Sequence, residues 1–67
     1  MTVFIIKATS NVTGNIHYVK IDNDGCVSLE KDTNNATTFN SQEEATTAIK
    51  NYCEGEATQT YEAININ

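Results

Sequence analysis

Ile16-His17-Tyr18-Val19-Lys20-Ile21-Asp22-Asn23-Asp24-Gly25-Cys26-Val27-Ser28-Leu29-Glu30-Lys31 sets two alternating segments on either side of a polar turn that ends in glycine. Val19 and Ile21 alternate with Ile16, Tyr18 and Lys20, and Val27 and Leu29 alternate with Cys26, Ser28 and Glu30. Period two is the signature of strands. Between them Asp22-Asn23-Asp24-Gly25 is a hairpin signal. Opposed residues of paired strands share a face, so the register can be argued. A two-residue Asp24-Gly25 loop would set Ile21 against Ser28 and Val19 against Glu30. A three-residue loop, Asn23 to Gly25, sets Ile21 against Val27 and Val19 against Leu29. It keeps the apolar face whole and puts Gly25 where a left-handed residue closes a type I turn with a bulge. The second register is predicted.

Before this hairpin, Val3 to Ala8 is apolar on both alternating faces, which predicts an interior strand. Pairing Phe4 with Ile21 and Ile6 with Val19 leaves Asn11-Val12-Thr13-Gly14 as the first loop. Beyond the third strand, Asp32 to Asn35 is polar and Ala36-Thr37-Thr38-Phe39 is a short extended piece. Ser41-Gln42-Glu43-Glu44 reads as a capping box, with Ser41 accepting from the amide of Glu44. Ala45, Ala48, Ile49, Tyr52 and Cys53 then follow the spacing of one buried helical stripe, and Gly55 stands where the helix stops. Ala57 to Ile66 is a last strand, with Thr60, Glu62, Ile64 and Ile66 on one side and Tyr61, Ala63 and Asn65 on the other.

The sum is a single α+β domain over residues 1–67, β-β-β-(short β)-α-β. It is an antiparallel sheet of four to five strands with one helix packed on one face. The predicted order is last-first-second-third-short. Were the short piece only loop, the last strand would run parallel to the first. The helix should cover Phe4, Ile6, Val19, Ile21, Val27, Leu29 and Ile64. The opposite face should carry Val3, Ile5, Ile16, Tyr18, Cys26, Tyr61 and Ala63, interspersed with Lys7, Lys20, Ser28 and Glu30.

Composition narrows the function. The 67 residues hold nine acids, four lysines and no arginine, for a net charge of −5 and a pI near 4.4. There is no basic stripe for phosphates and no bidentate fork for guanine, so direct nucleic-acid binding is not expected. No apolar run extends beyond Val3-Phe4-Ile5-Ile6. A membrane span needs about 20 such residues and a secretory signal about 7–15, so the expected location is the cytoplasm of the cell that makes the chain. Cys26 and Cys53 are read as reduced, small apolar residues.

No motif for chemistry survives inspection. With Gly25 at the sixth position of a calcium loop, the first and twelfth positions fall on Lys20 and Lys31, where the ion needs carboxylates. His17 is the only histidine, and no spacing sets it beside a cysteine. Glu43 and Glu44 sit where the helix dipole favours negative charge. The expectation is a chain that is not an enzyme, with no catalytic residue, cofactor or metal.

What remains is a surface. Tyr18, Lys20, Glu30 and Tyr61 on the uncovered sheet face, and Glu43 and Glu44 at the helix start, are the expected partner-binding residues. Residues 33–67 hold five acids against Lys50, and residues 1–32 hold four acids against three lysines. The acidic half should steer toward a basic partner surface. Nine acids are few for a DNA mimic. The competing expectation is a homo-oligomeric structural or regulatory protein, a homodimer in the simplest case, that buries the same sheet face against itself.

The layout, a hairpin-rich start followed by Ala36-Thr37-Thr38-Phe39-Asn40-Ser41-Gln42-Glu43-Glu44-Ala45 and a final strand, resembles small phage-encoded host-directed inhibitor proteins of the anti-CRISPR kind. The resemblance covers the whole chain as a pattern and carries over no functional residue. It implies stoichiometric binding to a larger bacterial host protein or defence complex, blocking its nucleic-acid or partner site.

Overall fold

The computed structural model describes residues 3–53, 55 and 58–66. Four strands, β1 (Phe4–Ser10), β2 (Ile16–Ile21), β3 (Val27–Glu30) and β4 (Gln59–Asn65), form one sheet in the order β3-β2-β1-β4. All three pairings are antiparallel. One helix, α1 (Gln42–Ala48), continues into a π turn over Ile49–Cys53. The fold is α+β, as the alternation and the capped helix predicted, with β1 in the interior and the last strand antiparallel to it.

The β2–β3 hairpin has the predicted register, Ile21 opposite Val27 and Val19 opposite Leu29. Gly25 has φ +82° and donates its amide to the Asp22 carbonyl at 3.0 Å, while the Asp22 amide donates to the Cys26 carbonyl at 3.0 Å. The Asp22 side chain completes the turn, its Oδ1 accepting from the amides of Asp24 and Cys26, each at 2.9 Å. The first hairpin keeps the predicted offset at Lys7–Tyr18, Ala8–His17 and Thr9–Ile16.

Beyond Lys7 the expected pairs Phe4–Ile21 and Ile6–Val19 give way to a different arrangement. The short segment at Ala36–Phe39 is neither a fifth strand outside β3 nor a free loop. It enters between β1 and β2. Phe39 and Phe4 exchange both backbone hydrogen bonds, at 2.8 and 2.9 Å. The Thr37 amide donates to the Val19 carbonyl at 3.1 Å, and the Thr37 hydroxyl accepts from the Ile21 amide at 2.7 Å. Parting two strands leaves backbone donors and acceptors to be satisfied, and a threonine supplies both kinds from one hydroxyl. The piece still reverses the chain, which is why β4 returns antiparallel.

Strand β4 is phased opposite to the expectation. Ile6 faces Ala63 and Ala8 faces Tyr61, whereas Ile5 faces Ile64 and Lys7 faces Glu62. Tyr61 and Ala63 therefore lie on the helix side, against the cluster of Ile6, Ala8, Val19, Ala45, Ala48 and Cys53. Ile64 moves to the other face. The segment is apolar in both phases, so hydrophobicity cannot choose, and the offset against β1 decides. Contacts at the strand entrance hold that offset: the Asn11 amide donates to the Thr58 carbonyl at 2.8 Å and the Thr60 hydroxyl to Asn11 Oδ1 at 2.6 Å.

The helix starts as predicted, with Ser41 Oγ accepting from the Glu44 amide at 3.1 Å. Its second half departs from the α spacing. The wider π turn brings Cys53, five residues after Ala48, into the core and rotates Tyr52 outward, so Tyr52 leaves the predicted buried stripe. Gly55, at φ +98°, takes the left-handed conformation expected where the helix stops. The turn at Glu54 and Glu56 and the predicted strand start at Ala57 lie outside the described residues.

Candidate functional site

The six expected partner-binding residues do not form one surface. Tyr18 and Glu30 are directly opposed, and Lys20, opposite Ser28, shares their face. They form a polar strip with the Lys7–Glu62 pair. The Ser28 hydroxyl donates to the Glu30 carboxylate at 3.4 Å. Tyr61, on the helix side, is half-buried in the core. Glu43 and Glu44 are exposed in the first turn of α1.

The sheet face away from the helix is also less open than predicted. Ile5 projects from it and is fully buried. Phe39 pairs with Phe4 and so faces the helix; alternation along the extended segment turns Ala36 to Ile5's side, where Ala36 too is buried. Both stand outside the helix-side cluster. The chain between β3 and the wedge, including the 3₁₀ turn at Thr33–Asn35, packs against β2. That crossing removes from solvent much of what one helix could not cover.

Exposed apolar side chains stand on both faces, Ile16 and Ile66 on the far one and a cluster on the helix side toward β3. Val27 and Leu29 are each 39% exposed and Tyr52 is 49% exposed. The α1 helix stands chiefly over β1 and β4. Tyr52 separates two concavities. One, toward the start of α1, is lined by Glu43, Glu44, Thr47, Asn51 and Phe39. The other, about 460 Å³, lies between the π turn and the sheet, with Val27, Leu29, Tyr61 and Gln59 in its walls. The sequence singles out Tyr18 and Tyr61, and α spacing hides Tyr52, which the π turn exposes.

Among the described residues, no three histidine, cysteine or acidic side chains come together to hold a metal ion. Asp22, the centre of the calcium-like stretch, commits Oδ1 to two backbone amides of its own turn. Cys26 is exposed and Cys53 buried, and both are free thiols. Burial raises the Cys53 pKa above the ordinary thiol value of 9.0, which keeps it protonated and a weak nucleophile at neutral pH. Among the described residues, no helix is long and apolar enough to cross a membrane.

Comparison with protein-family models, with curated proteins and with solved structures gives no match to this chain.

Proposed function

We propose that the chain is a small acidic, non-enzymatic binding protein of the phage inhibitor type, which occupies a bacterial host protein or defence complex and blocks its nucleic-acid or partner site. The observation that carries the reading is the juxtaposition at the helix. The half-exposed Tyr52 ring and the carboxylates of Glu43 and Glu44 border one shallow concavity. An aromatic anchor beside like charges suits a partner that offers a lysine- or arginine-rich surface with an apolar contact at its centre. The charge excess of residues 33–67 steers the same way. The expected setting is the bacterial cytoplasm. The polar strip of Tyr18, Lys20 and Glu30 lies on the opposite face of the sheet and is not part of this surface.

The test is affinity capture from bacterial lysate with the wild-type chain and with two variants, Tyr52→Ala and the pair Glu43→Lys with Glu44→Lys. One stoichiometric partner, retained by the wild type and lost by both variants, is the expected result. The purified partner should then lose its nucleic acid or its own partner when the chain is added. A partner that binds both variants as well as the wild type overturns the assignment of this surface.

A further inference from the structure

Strands β1 and β2 part beyond Lys7–Tyr18, yet their offset still fits. The pairs Lys7–Tyr18, Ala8–His17 and Thr9–Ile16 keep one spacing, and continuing it sets Ile6 opposite Val19 and Phe4 opposite Ile21. The Ala36–Phe39 segment stands in the way. Phe4 commits its amide and carbonyl to Phe39, Val19 its carbonyl to the Thr37 amide, and Ile21 both groups to the Thr37 hydroxyl. These are the groups that closure of the two strands would use. In the continued register Phe4 and Ile21 form a hydrogen-bonded pair that exchanges both bonds, and the Val19 carbonyl accepts from the Ile6 amide. Each β1 and β2 group that the wedge satisfies thus has a second partner across the gap. The side chains agree. Phe4, Ile6, Val19 and Ile21 all belong to the helix-side core or pack against it, so closure keeps the apolar face whole.

We infer that the sheet has two arrangements: the inserted one described above, and a zipped one in which Ala36–Phe39 withdraws and β1 and β2 close as far as Phe4–Ile21. Strand hydrogen bonding does not separate them, because the same groups are satisfied in both. Side-chain burial does. Insertion buries Ala36 and half-buries Phe39, and withdrawal returns both to water. The freed segment regains chain entropy, which offsets part of that loss. The inserted arrangement is therefore the major one, and the zipped one is a minor state of about 0.1–10%. Phe39 also lines the concavity at the start of α1, so zipping dismantles that concavity and a partner seated in it holds the wedge in place. This last consequence rests on the proposed function, whereas the two arrangements do not.

Native-state hydrogen exchange of the purified wild-type chain provides the test. Simple fraying of the wedge exposes the amides of Phe4 and Ile21 together with those of Thr37 and Phe39, because all four bond across the same seam. Zipping exposes Thr37 and Phe39 alone, since Phe4 and Ile21 then bond to each other. Corrected for intrinsic rates, Thr37 and Phe39 should exchange at least tenfold faster than Phe4 and Ile21. Four equal rates overturn the proposal. A second measurement traps the zipped form. In a Cys26→Ser, Cys53→Ala background, Phe4→Cys and Ile21→Cys stand two strand spacings apart in the inserted arrangement, about 10 Å and beyond disulfide reach. In the zipped arrangement they are about 5.5 Å apart. In a glutathione buffer this variant should form its internal disulfide at least tenfold faster than its reduced form unfolds globally, with the circular dichroism of the sheet retained. Oxidation no faster than global unfolding, or accompanied by loss of the sheet signal, overturns the proposal.

Discussion

The hydroxyl of Thr37 lies 2.7 Å from the amide nitrogen of Ile21 and 3.3 Å from its carbonyl oxygen, accepting from one and donating to the other. One side chain thus does for β2 what a paired residue of β1 would have done. Thr37→Val keeps the shape and removes both bonds, leaving a part-buried amide without its acceptor. The expected loss is about 1–3 kcal/mol, read by urea unfolding, and Thr37→Ser should recover most of it. Equal stability of the valine and serine variants would show that the hydroxyl contributes nothing.

Ile5 provides a second expectation. It is fully buried although it projects from the sheet face opposite α1. Ile5→Ala should cost about 2–5 kcal/mol, as for a core position. For a domain of this size that is most or all of the stability. Val12→Ala, in the exposed first loop, serves as the neutral control in the same unfolding series.

Helix capping gives a smaller, cleaner number. Ser41→Ala removes the acceptor for the Glu44 amide and should cost about 1 kcal/mol, whereas Ser41→Asp should retain the stability of the wild type.

At Gly25 the strain of a side chain is purely one of backbone conformation. A Cβ there would stand 3.6 Å from Cε1 of Tyr52, an ordinary contact, but φ is +82°. Gly25→Ala should therefore destabilise by roughly 1–2 kcal/mol, and Gly25→Asn by less, because asparagine tolerates the left-handed region. Thermal unfolding of the two variants in parallel separates them.

The buried thiol makes stability depend on alkaline pH. Folding favours the neutral form of Cys53, so its pKa rises from 9.0. Above pH 9.0 the unfolded chain has lost this proton while the folded chain still holds it, so stability falls as pH rises. Below that value the contribution is fully present. Cys53→Ala should flatten the decline between neutral and alkaline pH relative to the wild type, measured by urea unfolding at each pH.

Much of this architecture was readable from residue spacing, and the exceptions share one cause. The β2–β3 register followed from matching Val19 and Ile21 to Leu29 and Val27, because only one loop length keeps those four on a face. The start of α1 followed from Ser41 and Glu44. By contrast, Tyr61 was misplaced because β4 offers apolar residues in both phases, and contacts with Asn11, far away in sequence, choose between them. Tyr52 was misplaced because a π turn has no marker in the 3.6-residue period. The wedge at Thr37 was unreadable because a short extended piece carries no statement of which two strands it will part. In each case residue spacing alone does not decide the outcome. The surface proposed for binding moves with them, from the far sheet face to the helix.

The place of β1 in the sheet bears on how the chain is made. Of these four strands β1 is synthesised before the others, and it pairs with β4, which is synthesised after them. Until β4 emerges, the hairpins of β1, β2 and β3 stand with Ile6 and Ala8 uncovered along one flank. Such a chain closes its sheet by a long-range contact, late and slowly compared with a helical bundle of equal length. During that interval a growing chain presents an unpaired, apolar strand edge of the kind that holding chaperones bind.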